Sequence, residues 1–202
     1  PITIIAVVGL TNSINMIDGV DGLAASIILI AIIGILGFEV ENLHLNNILL
    51  VLIAAIIPFM IFNLDNFHKM KVFLGDGGSL FLGYMISWTL IYYAENTNYF
   101  TPSFALWCVA IPLFDFFSVI IIRITKKNPI MIANEDHIHH FLEILGLSKK
   151  LILLIIVCSG LVFLVIGRLI ENNYPAISFS IFLTLFFFYL LLRIGISKKE
   201  LR

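Results

Sequence analysis

Long apolar runs divide this chain and restrict it to one class of fold. We count seven of them, over residues 1–11, 22–38, 47–64, 79–94, 102–123, 151–168 and 176–194. Hydrophobic residues make up 60% of the chain and charged residues 12%, whereas soluble domains are about 25% charged. Because a helix needs ~20 residues to cross a bilayer, the sequence predicts an all-α, polytopic transmembrane helix bundle of about seven spans.

The first apolar run is short, and the chain begins with Pro1. We therefore expect residues 1–202 to be a single transmembrane domain that forms the C-terminal part of a longer protein. The first run lacks a basic leader and a small-residue cleavage site, so it predicts the end of a helix and not a signal peptide. The longest loop, roughly 124–150, has room for an element that shapes a binding site, and residues 143–150 are a candidate short interfacial helix.

Basic residues are concentrated in alternate loops. Eleven of the twelve Lys and Arg residues fall on one side of the predicted bundle, and Arg168 falls on the other. Lys and Arg mark the cytoplasmic side of short loops, so residues 12–21, 65–78, 123–150 and 195–202 are predicted to be cytoplasmic. All six aspartates and four of the five histidines lie on or near this face. Acidic groups gathered on a basic side need a cation or a specific ligand, which predicts a cytoplasmic-face site.

A first polar cluster lies between two apolar runs and consists of Asn12, Asn15, Asp18 and Asp21. At three-residue spacing these side chains form a slowly rotating stripe along a helix end. Gly19 and Gly22 permit close approach of a ligand to the backbone. Two carboxylates backed by amides suit a divalent cation, a sugar hydroxyl of a nucleotide or a base edge. The alternative is a polar helix cap that faces the lipid headgroups, although a cap needs one such residue and not four.

A second cluster is glycine-rich and surrounds Asp76 just before an apolar run that starts at Leu80. Its glycines are Gly75, Gly77 and Gly78. They allow backbone N–H groups to crowd together, and the N-terminus of the following helix attracts phosphate oxygens. Asp76 is therefore a candidate Mg²⁺ ligand, because Mg²⁺ binds through one or two carboxylates together with substrate phosphates. The nearby Phe73 alone would be interpreted as a membrane-interface anchor.

A third cluster contains three histidines within four residues, namely His137, His139 and His140. If this segment is helical, His137 and His140 share a face and His139 points elsewhere. The pattern indicates either a zinc site or a site for a polyanion. Structural zinc needs four ligands, and no cysteine lies nearby, so a loop that contacts a diphosphate or a sugar is favoured over metal binding.

Several polar residues outside the three clusters give weaker predictions of function. Asp115 lies inside the fifth apolar run, where an ionisable group is unfavourable, and it either lines the cavity or pairs with Arg123. Asn63 and Asp65 are interpreted as the polar end of a helix. Asn66 has no role that the residue pattern alone predicts.

Together and in this order, the three clusters resemble the polyprenyl-phosphate N-acetylhexosamine-1-phosphate transferase family, which is glycosyltransferase family 4. The matching segments read Asn-Ser-Ile-Asn-Met-Ile-Asp-Gly-Val-Asp-Gly-Leu, Val-Phe-Leu-Gly-Asp-Gly-Gly-Ser-Leu and His-Ile-His-His. The resemblance runs from about residue 1 to 150. The family includes the enzymes that start O-antigen, enterobacterial common antigen and teichoic acid assembly. It also includes phospho-N-acetylmuramoyl-pentapeptide transferase of peptidoglycan synthesis.

The resemblance implies a bundle of ten or eleven transmembrane helices with a cytoplasmic groove, in a bacterial inner membrane. It implies transfer of a sugar 1-phosphate from a UDP-sugar to undecaprenyl or another polyprenyl phosphate, with release of UMP and with Mg²⁺ or Mn²⁺ as cofactor. The His-Ile-His-His arrangement is similar to the N-acetylglucosamine branch. The expected partners are these two substrates and the bilayer, with no nucleic acid, and a homodimer is left open.

Roles are implied for the residues that match the family's motifs. Asp76 matches the metal-binding aspartate, and Asp18 matches an aspartate needed for activity. The matches on the nucleoside side and in the sugar-recognition loop are Asn15, Gly19, Asp21, Asn66, Phe73, His137, His139 and His140. Among these, Phe73 matches an aromatic residue that stacks on uracil. The three histidines place the substrate-recognition loop within residues 124–150.

The chain departs from the family pattern at two places. The acidic Asp-Asp-x-x-Asp/Asn motif is absent, which we attribute to the portion before Pro1, so residues 1–202 alone are expected to be inactive. Asn134 and Glu135 stand where many relatives have Asp-Arg, which leaves the sugar open. Two alternatives are a non-catalytic truncated relative and a cation-coupled transporter that uses Asp115. A transporter should have polar groups near the bilayer midplane, whereas here they gather at one face.

Overall fold

The computed structural model describes residues 1–37, 42–64, 70–97, 100–127, 129 and 137–197. Across these ranges the chain forms nine helices and no strand, which confirms the predicted all-α class. The helices are α1 (Ile2–Ile17), α2 (Leu23–Leu36), α3 (Leu43–Leu64), α4 (Gly75–Asn96), α5 (Pro102–Cys108), α6 (Ala110–Thr125), α7 (Ile138–Ile144), α8 (Lys149–Asn173) and α9 (Pro175–Ser197).

Several of these helices have the length and composition of membrane spans. Among the described residues, α3, α8 and most of α9 satisfy both criteria, and α5 with α6 makes a fourth span if the pair is counted as one. Helices α1 and α2 are apolar but only 16 and 14 residues long, and α4 has 22 residues. The protein is therefore a multi-pass membrane helix bundle. Each predicted apolar run contains helix, and the count of seven spans stays a prediction.

The fifth apolar run, expected to be one span, is broken into α5 and α6. The two helices are bent by 87° at Val109, whose backbone leaves the helical region with φ −129° and ψ 30°. Pro112 explains the break, because in a continuous helix its ring would clash with the carbonyl of Cys108. In the structure Pro112 lies in the first turn of α6, where its missing N–H is not needed. The break places Asp115 in the second turn of a new helix.

Helix α2 forms the centre of the bundle. Its residues from Leu23 to Ile28 and from Ile30 to Ile32 are all buried. A helix that is apolar on every side is stable only when other helices surround it. Helices α1, α3, α4, α5 and α8 contact α2 and supply that surrounding.

Helix α1 packs closely against α4, with Gly83 at their closest approach. A Cβ atom built on Gly83 would lie 3.0 Å from Thr11 Cα and 3.2 Å from Ile14 Cβ. Small residues let membrane helices approach at backbone distance in this way. This contact fixes the C-terminal end of α1 relative to the N-terminal end of α4, and those two ends carry the first two polar clusters.

Aromatic packing joins the C-terminal helices to the break between α5 and α6. The indole N–H of Trp107 donates to Ser178 Oγ over 3.1 Å, and the indole packs so tightly on Gly167 that a Cβ there would lie 2.3 Å from Trp107 Cγ. Phe114 on α6 contacts Phe182 on α9 with ring centroids 5.0 Å apart. These contacts hold α9 alongside α6.

Replacement of Gly83 by leucine tests the contact between α1 and α4. We expect Gly83→Leu to force the helices apart and to lower the free energy of unfolding by about 1–3 kcal/mol, the usual effect of overpacking. Thermal unfolding of the protein in detergent measures the change. Gly195→Leu is the matched control, because a Cβ at Gly195 meets nothing within 4 Å. Equal melting of the two variants would contradict the close contact.

Candidate active site

The first two predicted clusters converge on one cavity of about 360 Å³. One wall comes from the end of α1 and the following turn, and the other comes from the start of α4 and the segment before it. The cavity is lined by Asn15, Asp18, Gly19, Val20, Asp21, Asn63, Lys71, Phe73, Leu74, Gly75, Asp76 and Lys149. Side chains more than 50 residues apart in sequence, such as Asp18 and Asp76, therefore face one space.

The first cluster only partly forms the predicted helical stripe. Asn12 and Asn15 lie on α1, but the helix ends at Ile17, so Asp18 caps its C-terminus and Asp21 lies in the turn. Helix α2 begins after Gly22, which has φ +74° and adopts a conformation that favours glycine. Asn12 does not line the cavity, and its amide donates to Val8 O within α1 over 2.7 Å.

The glycine-rich segment is the first turn of α4 and not a loop that precedes it. The helix begins at Gly75, whereas the sequence placed its start at Leu80. Asp76 consequently lies in the first turn, where the unpaired N–H groups of a helix favour negative charge. A Cβ built on Gly75 or Gly77 meets nothing within 4 Å, so the backbone here is open to a ligand.

Asn15 connects the two walls of the cavity. Its Nδ2 donates to Asp76 Oδ1 over 3.1 Å and to Ser79 Oγ over 2.8 Å. Ser79 is fully buried and donates in turn to Gly75 O over 3.0 Å. The amide of Asn15 thus orients the Asp76 carboxylate.

The carboxylates of the cavity repel one another. Burial, together with the charges of Asp76 and Asp21, raises the pKa of Asp18 from 3.8 to about 6, and burial is the largest cause. Asp21 has a close cation, because Lys71 Nζ lies 2.6 Å from its Oδ2. Asp18 and Asp76 remain as the pair for which an added cation would relieve repulsion.

The donor set of the cavity fits Mg²⁺ or Mn²⁺. Mg²⁺ binds through one or two carboxylates together with substrate phosphates, and Asp18 and Asp76 provide such oxygens in one cavity. Within the described residues, no three His, Cys, Asp or Glu side chains are grouped so as to hold a metal by themselves. The histidine cluster is part of that described region, and it forms no such group.

Phe73 and two lysines complete the cavity wall. Phe73 is 69% exposed, and Lys71 Nζ lies 5.2 Å from the centroid of its ring. Lys149, at the start of α8, also lines the cavity. In the sequence, both lysines indicated only which loops are cytoplasmic. No local pattern links Lys71 to Asp21 or Lys149 to either acidic cluster, so their positions depend on the packing of whole helices.

The histidines lie behind the cavity wall and not within its lining. His139 is 1% exposed, and a Cβ on Gly19 would lie 2.1 Å from its Nε2. Gly19 therefore leaves space for the imidazole of His139 on one side while it lines the cavity on the other. Burial and the neighbouring His140 lower the pKa of His139 to about 4, so its imidazole is neutral near pH 7.

Two details of the histidine segment differ from the sequence expectation. The short helix covers 138–144 and not 143–150, because Gly146 with φ +82° ends it and Ser148 then caps α8. His137 precedes the helix, so it does not share a helical face with His140. It stacks instead on His139, with ring planes 7° apart and centroids 6.1 Å apart.

Some predicted residues lie outside the described ranges. They are Asp65, Asn66, Asn134 and Glu135. Asn63, by contrast, is buried at the end of α3 and donates from Nδ2 to Val72 O over 2.8 Å. It holds the segment that carries Phe73 against the cavity, a role that the helix-end interpretation did not include.

Comparison with known proteins gives a consistent assignment. Residues 1–94 match glycosyl transferase family 4. A Bacillus subtilis (strain 168) protein named as a probable undecaprenyl-phosphate N-acetylglucosaminyl 1-phosphate transferase is 36% identical over 144 residues, which are 71% of this chain and 38% of that protein. The undecaprenyl-phosphate alpha-N-acetylglucosaminyl 1-phosphate transferases of Pasteurella multocida (strain Pm70) and Escherichia coli (strain K12) are 34% and 31% identical over 143 residues. Those matches cover 68% of this chain, and 40% and 39% of the relatives.

The fold and the cavity define a multi-pass membrane protein with an acidic cavity where its helices end. The chain belongs to glycosyltransferase family 4, as its sequence motifs predicted. It spans about two fifths of the length of the relatives that it matches.

The raised pKa of Asp18 predicts a pH-dependent stability. Between its ordinary value of 3.8 and about 6, the folded protein holds this proton more tightly than the unfolded chain does. The free energy of unfolding therefore falls as pH rises through this window. We expect Asp18→Asn to melt above the wild type at pH 7.5 without added divalent cations, and the difference to shrink towards pH 4. A wild type at least as stable as Asp18→Asn at pH 7.5 would contradict the repulsion.

Proposed function

We propose that the complete protein transfers N-acetylglucosamine 1-phosphate from UDP-N-acetylglucosamine to undecaprenyl phosphate and releases UMP. The single observation that carries this proposal is the convergence of Asp18, Asp76 and Phe73 on one cavity. The cavity combines oxygen donors for a divalent cation, an exposed aromatic face for a nucleobase and helix N-terminal N–H groups for phosphate. The names of the relatives state the same transfer for those proteins.

The obstacle in such a reaction is the repulsion between two anionic phosphates, and catalysis by the protein consists of positioning and electrostatics. Asp76, with Asp18 beside it, would hold Mg²⁺ or Mn²⁺, which when bound screens the negative charge of the diphosphate. Asn15 orients the Asp76 carboxylate through its 3.1 Å hydrogen bond. The open N-terminal turn of α4 at Gly75 and Gly77 offers N–H groups to phosphate oxygens.

Other residues of the cavity bind the nucleotide. Phe73 presents its exposed ring to the uracil, and Asp21 binds on the nucleoside side. The family motif assigns the same side to Asn66, which lies outside the described residues. Lys71 is 2.6 Å from Asp21 and can also face the diphosphate. The lipid phosphate attacks the sugar-linked phosphorus directly, the bond from that phosphorus to the UMP oxygen breaks, and no protein intermediate forms. Asp18 either orients this attack or binds the nucleoside side.

The histidine segment is proposed to shape the sugar site from behind the cavity wall. His139 lies against the Asp18–Asp21 turn at Gly19. The rings of His137 and His140 each lie next to the ring of His139. The His-Ile-His-His arrangement favours N-acetylglucosamine over a muramoyl-pentapeptide donor. The reaction would start a cell-envelope polysaccharide, such as lipopolysaccharide or a cell-wall polymer, at the cytoplasmic face of the bacterial inner membrane. The distribution of Lys and Arg supports that orientation.

Substitution of Asp76 tests the proposed reaction. In the full-length protein we expect Asp76→Asn to lower UMP release from UDP-N-acetylglucosamine and undecaprenyl phosphate by roughly 100- to 1,000-fold, as for loss of one electrostatic contact at a reacting centre. Glu95→Gln is the matched control, because Glu95 lies in the last turn of the same helix. Turnover of Asp76→Asn at the wild-type rate would remove the metal assignment. Product formed only from UDP-muramoyl-pentapeptide would overturn the assigned sugar.

A further inference from the structure

Asp115 forms a buried polar centre beside the active site that the proposed reaction does not use directly. Its carboxylate is on α6, and the residue is 2% exposed. Asp115 Oδ2 lies 2.8 Å from His137 Nδ1, and Oδ1 accepts from the backbone N–H of Ile138 over 2.8 Å. One carboxylate therefore binds both the first histidine and the first residue of α7.

Helix α9 supports the same carboxylate from the other side. Tyr189 Oη donates to Asp115 Oδ1 over 3.4 Å, and an Arg193 guanidinium nitrogen lies 3.9 Å from the same oxygen. The Arg193 guanidinium also lies 5.5 Å from the ring centroid of Phe141. Helix α7 is thus held at its start by Asp115 and one turn later by Arg193.

This arrangement determines which nitrogen of His137 carries hydrogen. A carboxylate accepts hydrogen bonds and does not donate them, so Nδ1 of His137 carries the proton that Asp115 Oδ2 accepts. A neutral imidazole then has an unprotonated Nε2. Carboxylates that fix the orientation and tautomer of a functional histidine in this way have large effects on activity without touching the reacting atoms.

The position of His137 is passed on to the cavity through His139. The two rings are stacked 6.1 Å apart, and His139 occupies the space that Gly19 leaves open next to Asp18. A displacement of the start of α7 would therefore move His139 against the Asp18–Asp21 turn.

We propose that Asp115 is a positioning residue of the active site, which holds His137 with Nδ1 protonated and so places His139 against the Asp18–Asp21 turn. This inference rests on the proposed transferase function for its kinetic consequence. The alternative is a buried ion pair that only joins α6 to α9. A purely structural pair would change stability but not the tautomer of His137 or the turnover number.

The test combines a spectroscopic and a kinetic measurement on the full-length protein in detergent. The side-chain ¹⁵N spectrum of labelled histidine reports the tautomer, and a His137→Gln variant assigns the signal of His137. We expect Nδ1 to be protonated in the wild type. In Asp115→Asn the new amide N–H₂ can donate to Nδ1, so the proton moves to Nε2.

The kinetic expectation for Asp115→Asn is a fall in kcat of roughly 10- to 100-fold, as for other partners that orient a functional histidine, with little change in KM for the UDP-sugar. Glu171→Gln is the matched control, because Glu171 is also a buried carboxylate and accepts from Thr101, the N-cap residue of α5. It should change neither the spectrum nor kcat. Gly19→Ala, which displaces His139 directly, should lower kcat to a similar extent.

The outcomes separate the two proposals. A wild type that does not turn over UDP-N-acetylglucosamine removes the proposed function, and the tautomer then decides the positioning role by itself. An Nε2-protonated His137 in the wild type overturns the role of Asp115, even if Asp115→Asn fails to fold. A changed tautomer in Asp115→Asn with kcat at the wild-type value overturns it as well.

Discussion

Like charges held together at one end of an apolar bundle are the constraint on which the rest of this structure depends. Burial and two neighbouring carboxylates raise the pKa of Asp18 to about 6, and Lys71 compensates only Asp21 at hydrogen-bond distance. Such repulsion destabilises the fold without ligand, and the packing of the apolar helices offsets it. Natural proteins retain unfavourable groups mainly where function requires them. The close approach of α1 and α4 at Gly83 keeps both walls of the cavity together despite this repulsion.

The distribution of polar groups in the described residues favours the proposed transferase over a transporter. A transporter is built around broken helices with ion sites near the bilayer midplane, and the break between α5 and α6 has that appearance. Asp115, the carboxylate beside the break, is bound by His137, by the start of α7 and by α9. It does not line the acidic cavity. Helix α6, which follows the break, therefore holds the histidine segment through Asp115, and the carboxylates of the cavity remain together at the helix ends.

Local patterns predicted the helices, because an apolar run is a property of a short segment. They also predicted that the first two clusters converge, because the charges of the loops place both clusters on the same side of the membrane. The start of α4 was predicted at Leu80, whereas the helix begins at Gly75. The prediction was too late because three closely spaced glycines were interpreted as a flexible loop and not as the first turn of the helix. The short helix after His137 was predicted over residues 143–150, whereas it covers 138–144. The bond between Asp115 and His137 and the pairing of Lys71 with Asp21 join residues from separate helices and turns. No spacing rule links such residues, so only the assembled bundle reveals them.

The most direct test of the shared site is a double-mutant cycle on Asp18 and Asp76. The affinity of the full-length protein for Mn²⁺ in the presence of UMP is measured by the electron paramagnetic resonance signal of free Mn²⁺. The proteins compared are the wild type, Asp18→Asn, Asp76→Asn and the double variant. Two carboxylates that face one ion predict losses that are not additive, with a coupling of about 0.5–3 kcal/mol. Losses that add within about 0.5 kcal/mol, or a wild type that binds no Mn²⁺, would contradict a common cation site.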